Sequence, residues 1–245
     1  MNTLNRIAEF REALQDYSLS KVALHTLSQT KLVLLVAPSS SGRNTVLREV
    51  VKTGDYHFIV SDTTRKPREN DGMLEQNGRE YWFRTEDEVL ADIQQGHYLE
   101  AAIIHEQQVS GISVRELELA AQEGKIAITD AEIAGADNAK KYKPDAIIIF
   151  VLPPSFEEWQ RRLKHRGHME PGEFKRRMES AAEEFRHALE REYYTFVIND
   201  KVSIAASKIN SLAKLEAIDV EDQTAARNLA EQLLVSTEAL LKTLT

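Results

Sequence analysis

Cysteine is absent from the 245-residue chain. Disulfides and thiolate metal sites are therefore excluded, and a reducing compartment suits the sequence. Long apolar runs are missing too. The longest, residues 32–37 and 146–152, fall far short of the roughly 20 residues that a membrane-spanning helix needs. The segment from Met1 to Glu9 lacks a basic stretch followed by an apolar one, so no secretory signal is expected and a cytoplasmic protein is the default. An excess of positive charge is also lacking. Lys and Arg number 31 against 39 Asp and Glu, a net charge of −8. That balance argues against a general nucleic-acid coat, which needs a local surplus of cations. No internal repeat and no low-complexity tract is present.

What is there reads as a globular protein. Hydrophobic residues make up 42 % of the chain and charged residues 29 %, enough apolar content for a real core. One domain of about 200 residues with appendages is expected at this length. Residues 1–30 read as a helical extension, with Leu4, Ile7, Phe10 and Leu14 at helical spacing, followed by a short helix carrying Val22, Leu24 and Leu27. Both are expected to cover an exposed face of the main domain. Residues 32–36 are a continuous apolar run, and similar strands are expected at 57–60, 126–128 and 146–151. Helical stretches fall between them near 86–95, 114–123 and 155–166. Buried strands alternating with helices predict an α/β fold with a central parallel sheet covered on both faces. Beyond Asn199-Asp200 the chain reads as helical over 204–217 and 224–244, with an acidic linker at 219–223. Glu183, Glu184, Glu190 and Glu192 alternate with Arg186 and Arg191 and read as a solvated, salt-bridged helix face.

The loop after the first strand carries the first chemical signal. Ala37-Pro38-Ser39-Ser40-Ser41-Gly42-Arg43-Asn44-Thr45 joins a strand to a helix through small residues, where backbone N–H groups and a helix N-terminus can face an anion. Against the phosphate-loop pattern G-x-x-x-x-G-K-[ST], Gly42 matches. Ala37 stands for the first glycine, Arg43 for lysine and Asn44 for the hydroxyl residue. Alone, the segment is equally compatible with a simple strand-to-helix turn. Downstream, Ser61-Asp62-Thr63-Thr64-Arg65-Lys66-Pro67-Arg68 places two guanidiniums three residues apart, a spacing able to clamp a phosphate dianion.

Further segments follow in order: Gly78-Arg79-Glu80-Tyr81-Trp82-Phe83, Gly96-His97-Tyr98-Leu99-Glu100, Asp130-Ala131-Glu132-Ile133-Ala134-Gly135, and Leu152-Pro153-Pro154-Ser155. Then come Arg162-Leu163-Lys164-His165-Arg166-Gly167, Phe174-Lys175-Arg176-Arg177-Met178 and Val197-Ile198-Asn199-Asp200. Taken together, and in this order from about residue 31 to 205, the chain resembles the guanylate kinase family.

The resemblance implies a P-loop-type three-layer α/β fold. It also implies a mononucleotide-binding subdomain at about 62–115, a lid at about 160–180, and helical extensions over 1–30 and 206–245. It implies transfer of the γ-phosphoryl of ATP to GMP with magnesium. Ser61, Arg65, Arg68 and Tyr81 would hold the GMP phosphate. Glu100 would read the guanine edge, helped by Glu132 or Asp130, since a carboxylate accepts from both N1–H and N2–H and adenine offers no such donor pair. Ser39, Ser40, Ser41, Gly42, Arg43, Asn44 and Thr45 would cradle the ATP phosphates, and Asn199 would lie near the adenine. Arg43, Arg162, Arg166 and Arg177 would spread positive charge around the transferring phosphoryl. No direct metal ligand is evident, although Asn44 or Thr45 would reach a magnesium shell. GMP and ATP are the implied partners, without nucleic acid or membrane, and the terminal helices offer a surface to a protein partner.

Several positions depart from the family pattern. Arg43 is longer and planar where lysine is compact, Ala37 restricts the start of the loop, and the Y-G-[ST] segment reads Val109-Ser110-Gly111-Ile112. These departures keep two alternatives open. One is a catalytically impaired domain serving as a nucleotide-binding or protein-interaction scaffold. The other is a kinase for another phosphorylated ribose compound, against which Glu100 argues.

Overall fold

The computed structural model describes residues 4–70, 72–165, 171–216 and 219–244. In chain order they form α1 (Ile7–Gln15), α2 (Lys21–Gln29), β1 (Leu32–Val36), α3 (Arg43–Val51), β2 (Tyr56–Phe58), β3 (Asp62–Thr63), β4 (Glu69–Asn70), β5 (Met73–Leu74) and β6 (Trp82–Phe83). There follow α4 (Glu86–Gln94), β7 (Tyr98–Ile104), β8 (Gln108–Ser113), α5 (Val114–Gln122), β9 (Ile126–Asp130), α6 (Ile133–Tyr142) and β10 (Ile147–Leu152). The chain ends with α7 (Phe156–Lys164), α8 (Pro171–Glu190), β11 (Tyr194–Ile198), α9 (Val202–Ala213) and α10 (Val220–Thr243). The residues gather into two compact units, one built from the segments up to Leu32, Asp55–Thr129 and Asp137–Asp145, the other from Val33–Gly54, Asp130–Ala136 and Ala146 onward.

The second unit holds the strand-loop-helix of the sequence reading. β1 pairs in parallel with β10, Val33 opposite Ile147, and β10 pairs in parallel with β11, Ile148 opposite Tyr194. β1 is buried along its whole length, as an apolar run without alternation demands. Phe150 of β10 is the aromatic centre of this unit, with Phe185, Tyr194 and Phe196 each 5.8 Å away between ring centroids. α9 packs on α3, and α10 packs on α8 and β11, with its Ala226, Ala230 and Leu233 buried. The segment read as a linker is the start of α10, because the Asp219 carboxylate caps the backbone N–H groups of Glu221 and Asp222.

In the first unit β2 and β9 pair in parallel, Tyr56 opposite Ile126. The segment expected to form the mononucleotide-binding subdomain holds a second, mixed sheet. Its four-stranded sheet has the order β6-β3-β8-β7, with β7 and β8 forming an antiparallel hairpin. α1 does more than cover a surface: Phe10 is fully buried in one cluster with Leu4, Val89, Leu90, Ile93, Tyr98 and Val109. α4 begins with a capping box between Thr85 and Glu88.

Candidate active site

The loop between β1 and α3 is shaped by two left-handed residues, Ser40 at φ 67° and Gly42 at φ 88°. Gly42 is required twice over. Its φ suits glycine, and a Cβ there would lie 2.3 Å from the Asn199 side-chain nitrogen. The loop is braced from behind. Asn199, 2 % exposed, donates through Nδ2 to the Ser41 carbonyl at 2.8 Å, and Arg162 donates to the same carbonyl at 3.3 Å and to the Asn199 carbonyl at 3.2 Å. Trp159 donates its indole N–H to the Ser39 carbonyl at 2.8 Å. The hydroxyls of Ser40 and Ser41 are buried without a hydrogen-bond partner among the described residues, a sign of a polar loop built to receive a ligand.

In front of the loop lies a cavity of about 320 Å³ whose lining includes Ser40, Arg43, Thr45, Glu132, Ser180 and Glu184. Arg43 does not reach into the loop. It donates to the Asp130 carboxylate at 2.5 Å and to the Ala131 carbonyl at 3.1 Å, turned toward the D-x-E segment. Glu184 is not a solvated face residue. Burial and the nearby Glu132 carboxylate push its carboxyl up to about 7, against the opposing effect of the Ser180 hydroxyl and Arg43. Arg177 pairs with Glu173 at 2.5 Å and approaches the Ser39 hydroxyl at 3.5 Å. Asn44 and Thr45 sit on the first turn of α3, where the Gly42 carbonyl accepts from the Thr45 N–H at 3.1 Å and no side chain caps the helix start.

The first unit carries the paired guanidiniums. Arg65 and Arg68 line one cavity of about 450 Å³, together with Thr64, Lys66, Gln108 and Asn5. Arg65 is held by both oxygens of Glu75, at 2.5 and 2.9 Å, which raises its pKa further. Its guanidinium stacks 4.8 Å over the Tyr81 ring. Arg68 is exposed and anchored through its backbone N–H, which donates to Glu75 at 2.8 Å. Ser61 is half-buried, and its carbonyl accepts from the Trp82 N–H at 2.9 Å. Glu100 lies on β7, opposite Ile112, just beyond a register shift at Tyr98.

A strand-loop-helix with a cation at its entrance, and a separate arginine pair of which Arg65 stacks on a tyrosine, belong together in one kind of enzyme. The Guanylate kinase family profile matches residues 29–216. The chain belongs to the guanylate kinase family. A guanylate kinase of Porphyromonas gingivalis is 36 % identical over 162 residues, covering 65 % of this chain and 84 % of the relative. A guanylate kinase of Clostridium tetani is 30 % identical over 210 residues, covering 86 % and 95 %. The crystal structure of guanylate kinase from Anaplasma phagocytophilum shares the fold, with a TM-score of 0.56 and 24 % identity over 83 % of this chain and 94 % of that one. As a guanylate kinase family member the chain is an α/β phosphotransferase of the nucleoside monophosphate kinase type.

Within the family frame, the structure brings Ser39–Ser41, Gly42, Arg43, Asn44, Thr45, Arg162, Arg177 and Asn199 into one unit, and Ser61, Arg65, Arg68, Tyr81 and Glu100 into the other. Asp130 is the partner of Arg43, and Glu132 lines the loop cavity with Glu184. Arg166 lies outside the described residues. Sequence reasoning missed Glu75, Glu184 and Asp62. Asp62 is fully buried and accepts from the Tyr98 hydroxyl at 2.6 Å and from Arg115 at 2.8 Å. Its position inside Ser61-Asp62-Thr63-Thr64-Arg65 was the one available signal. Glu75 meets Arg65, and Glu184 meets the loop cavity, only through the fold.

Proposed function

We propose that the chain transfers the γ-phosphoryl of ATP to GMP, yielding GDP, with magnesium accompanying the ATP. The support for the acceptor half is the cavity that Arg65 and Arg68 share, with Tyr81 beneath Arg65. Two forked cations in one polar cavity match a phosphate dianion, and Glu75 holds one of them in place before any ligand arrives. Glu100 selects guanine, because a carboxylate accepts from a purine that presents two adjacent N–H donors. On the donor side, the loop of residues 39–45 receives the ATP phosphates. Arg162 and Asn199 hold its Ser41 carbonyl, and Arg177 reaches its rim. The metal fits the oxygen donors of this loop: the unpartnered Ser40 hydroxyl, Thr45 and the Asn44 amide oxygen would hold magnesium, which favours hard oxygen ligands. When bound, magnesium offsets charge on the β- and γ-phosphates. In this reading residues 31–205 form the kinase domain, with helical extensions on both sides, and the reaction takes place in the cytoplasm. Among the described residues no helix is long and apolar enough to cross a membrane.

A coupled assay with GMP, ATP and magnesium tests this reading. Turnover dependent on all three is expected. Arg68→Ala should raise KM for GMP by roughly 10- to 100-fold, the worth of a charge-assisted pair, and weaken calorimetric GMP binding in parallel. Undiminished GMP binding by Arg68→Ala would remove the basis of the acceptor site.

One observation favours a second reading, a nucleotide-binding scaffold with little turnover: the Arg43 guanidinium is committed to Asp130 and the Ala131 carbonyl. The Arg43→Lys variant separates the two. A gain in kcat of tenfold or more over a slow wild type, about 1.4 kcal/mol of barrier, supports the scaffold reading. Ordinary turnover by wild type ends it.

A further inference from the structure

The segment joining α1 to α2 precedes the family match, which begins at residue 29, yet it grips the strand that carries Glu100. β7 is the edge strand of its sheet. On that edge the Tyr17 hydroxyl accepts from the Tyr98 N–H at 2.8 Å and donates to the Tyr98 carbonyl at 2.5 Å, so one phenol satisfies both backbone groups of one residue. Burial pushes the Tyr17 phenol up to about 12, and in its protonated form it donates and accepts at once. The Ser20 N–H donates to the Gly96 carbonyl at 3.0 Å. Gly96 has φ 70°, and a Cβ there would lie 2.5 Å from the Ser20 nitrogen and 2.7 Å from the Ser18 carbonyl.

This grip falls on a β-bulge. Tyr98 pairs with Ser113, but Glu100 pairs with Ile112, so Leu99 is an extra residue on β7. Past a bulge, the direction of a side chain is set by the local backbone and not by simple alternation, which is why bulges re-aim side chains beside active sites. The backbone on the near side of this bulge is fixed twice: by Tyr17 at the main chain of Tyr98, and by Asp62 at its hydroxyl, 2.6 Å away.

We propose that Tyr17 is a positioning residue for Glu100: by binding both main-chain groups of Tyr98 it sets the β-bulge that aims the guanine-reading carboxylate. The inference rests on the proposed guanine-reading role of Glu100. It assigns the N-terminal extension a part in acceptor selection.

The test is calorimetric titration of the full chain with GMP and with IMP, which lacks the N2 amine, alongside thermal unfolding. Tyr17→Phe should weaken GMP binding about fivefold to tenfold, the worth of one hydrogen-bonded contact, and lower the preference for GMP over IMP. Where turnover is measured, KM for GMP should rise while kcat at saturating GMP stays within about twofold. Gly96→Ala, which displaces Ser18 and Ser20 by a different route, should shift the GMP-to-IMP preference in the same direction. In a Glu100→Gln background, Tyr17→Phe should have no further effect on that preference. A Tyr17→Phe variant that unfolds at lower temperature but keeps the wild-type preference overturns the inference and leaves Tyr17 a packing residue. If Glu100→Gln itself leaves the preference unchanged, the guanine-reading role falls and the positioning role falls with it, an outcome distinguishable from the first.

Discussion

Glu184 shows how one side chain can take on chemistry that its own helix does not advertise. Its neighbour Glu183 is exposed, whereas Glu184 turns into the phosphate-loop cavity, and its buried Oε2 has no partner among the described residues. Its carboxyl is raised from 4.5 to about 7 in the folded protein, chiefly by burial. The sign of the linkage follows. Below pH 4.5 the group is protonated both folded and unfolded, and its contribution is intact. As pH rises toward 7 the unfolded chain releases its proton first, so stability is lost, on the order of 3 kcal/mol in all, and the loss levels off above the folded value. Glu184→Gln does not titrate. Its unfolding midpoint relative to wild type should therefore climb between pH 4.5 and 7 and stay level beyond. A difference independent of pH would show that the carboxyl is not held protonated by burial.

At the scale of elements, the N-terminal helix is a structural member of the mononucleotide unit. Phe10 is fully buried against Val89, Leu90 and Ile93 of α4, and Tyr98 of β7 belongs to the same cluster. The entry of α1 is pinned as well: the Glu86 carboxylate accepts from the backbone N–H groups of Asn5 and Arg6, and Arg6 bridges Glu9 and Asp87. These surface ion pairs contribute little each. The aromatic side chain dominates. Phe10→Ala should destabilise the protein by roughly 3–5 kcal/mol in chemical denaturation, as expected for a large-to-small change in a core. A loss under about 1 kcal/mol would mean that α1 merely lies on the surface. The hairpin of β7 and β8 is the other decisive element, because its register shifts between Tyr98 and Glu100.

For the whole molecule, two compact units divide the work: a phosphate loop backed by a buried parallel sheet in one, an arginine-lined cavity on a small mixed sheet in the other. The order of short motifs along the chain was enough to place it in its family, because strand-loop-helix chemistry is local. Apolar runs without alternation specify buried parallel strands, and helical spacing with caps specifies α4, α5 and α7 within a residue or two. Local sequence therefore determined the element types, the loop and the arginine pair. The tertiary structure alone decided that Arg43 turns to Asp130, that Glu75 clamps Arg65, that Glu184 is buried beside the loop, and that Tyr17 holds the strand of Glu100. The physical reason is separation: the three bonded pairs lie 10, 81 and 87 residues apart, and Glu184 is farther still from its loop. A charge or hydroxyl has no signature for a distant mate until the folded backbone brings the two within hydrogen-bonding reach.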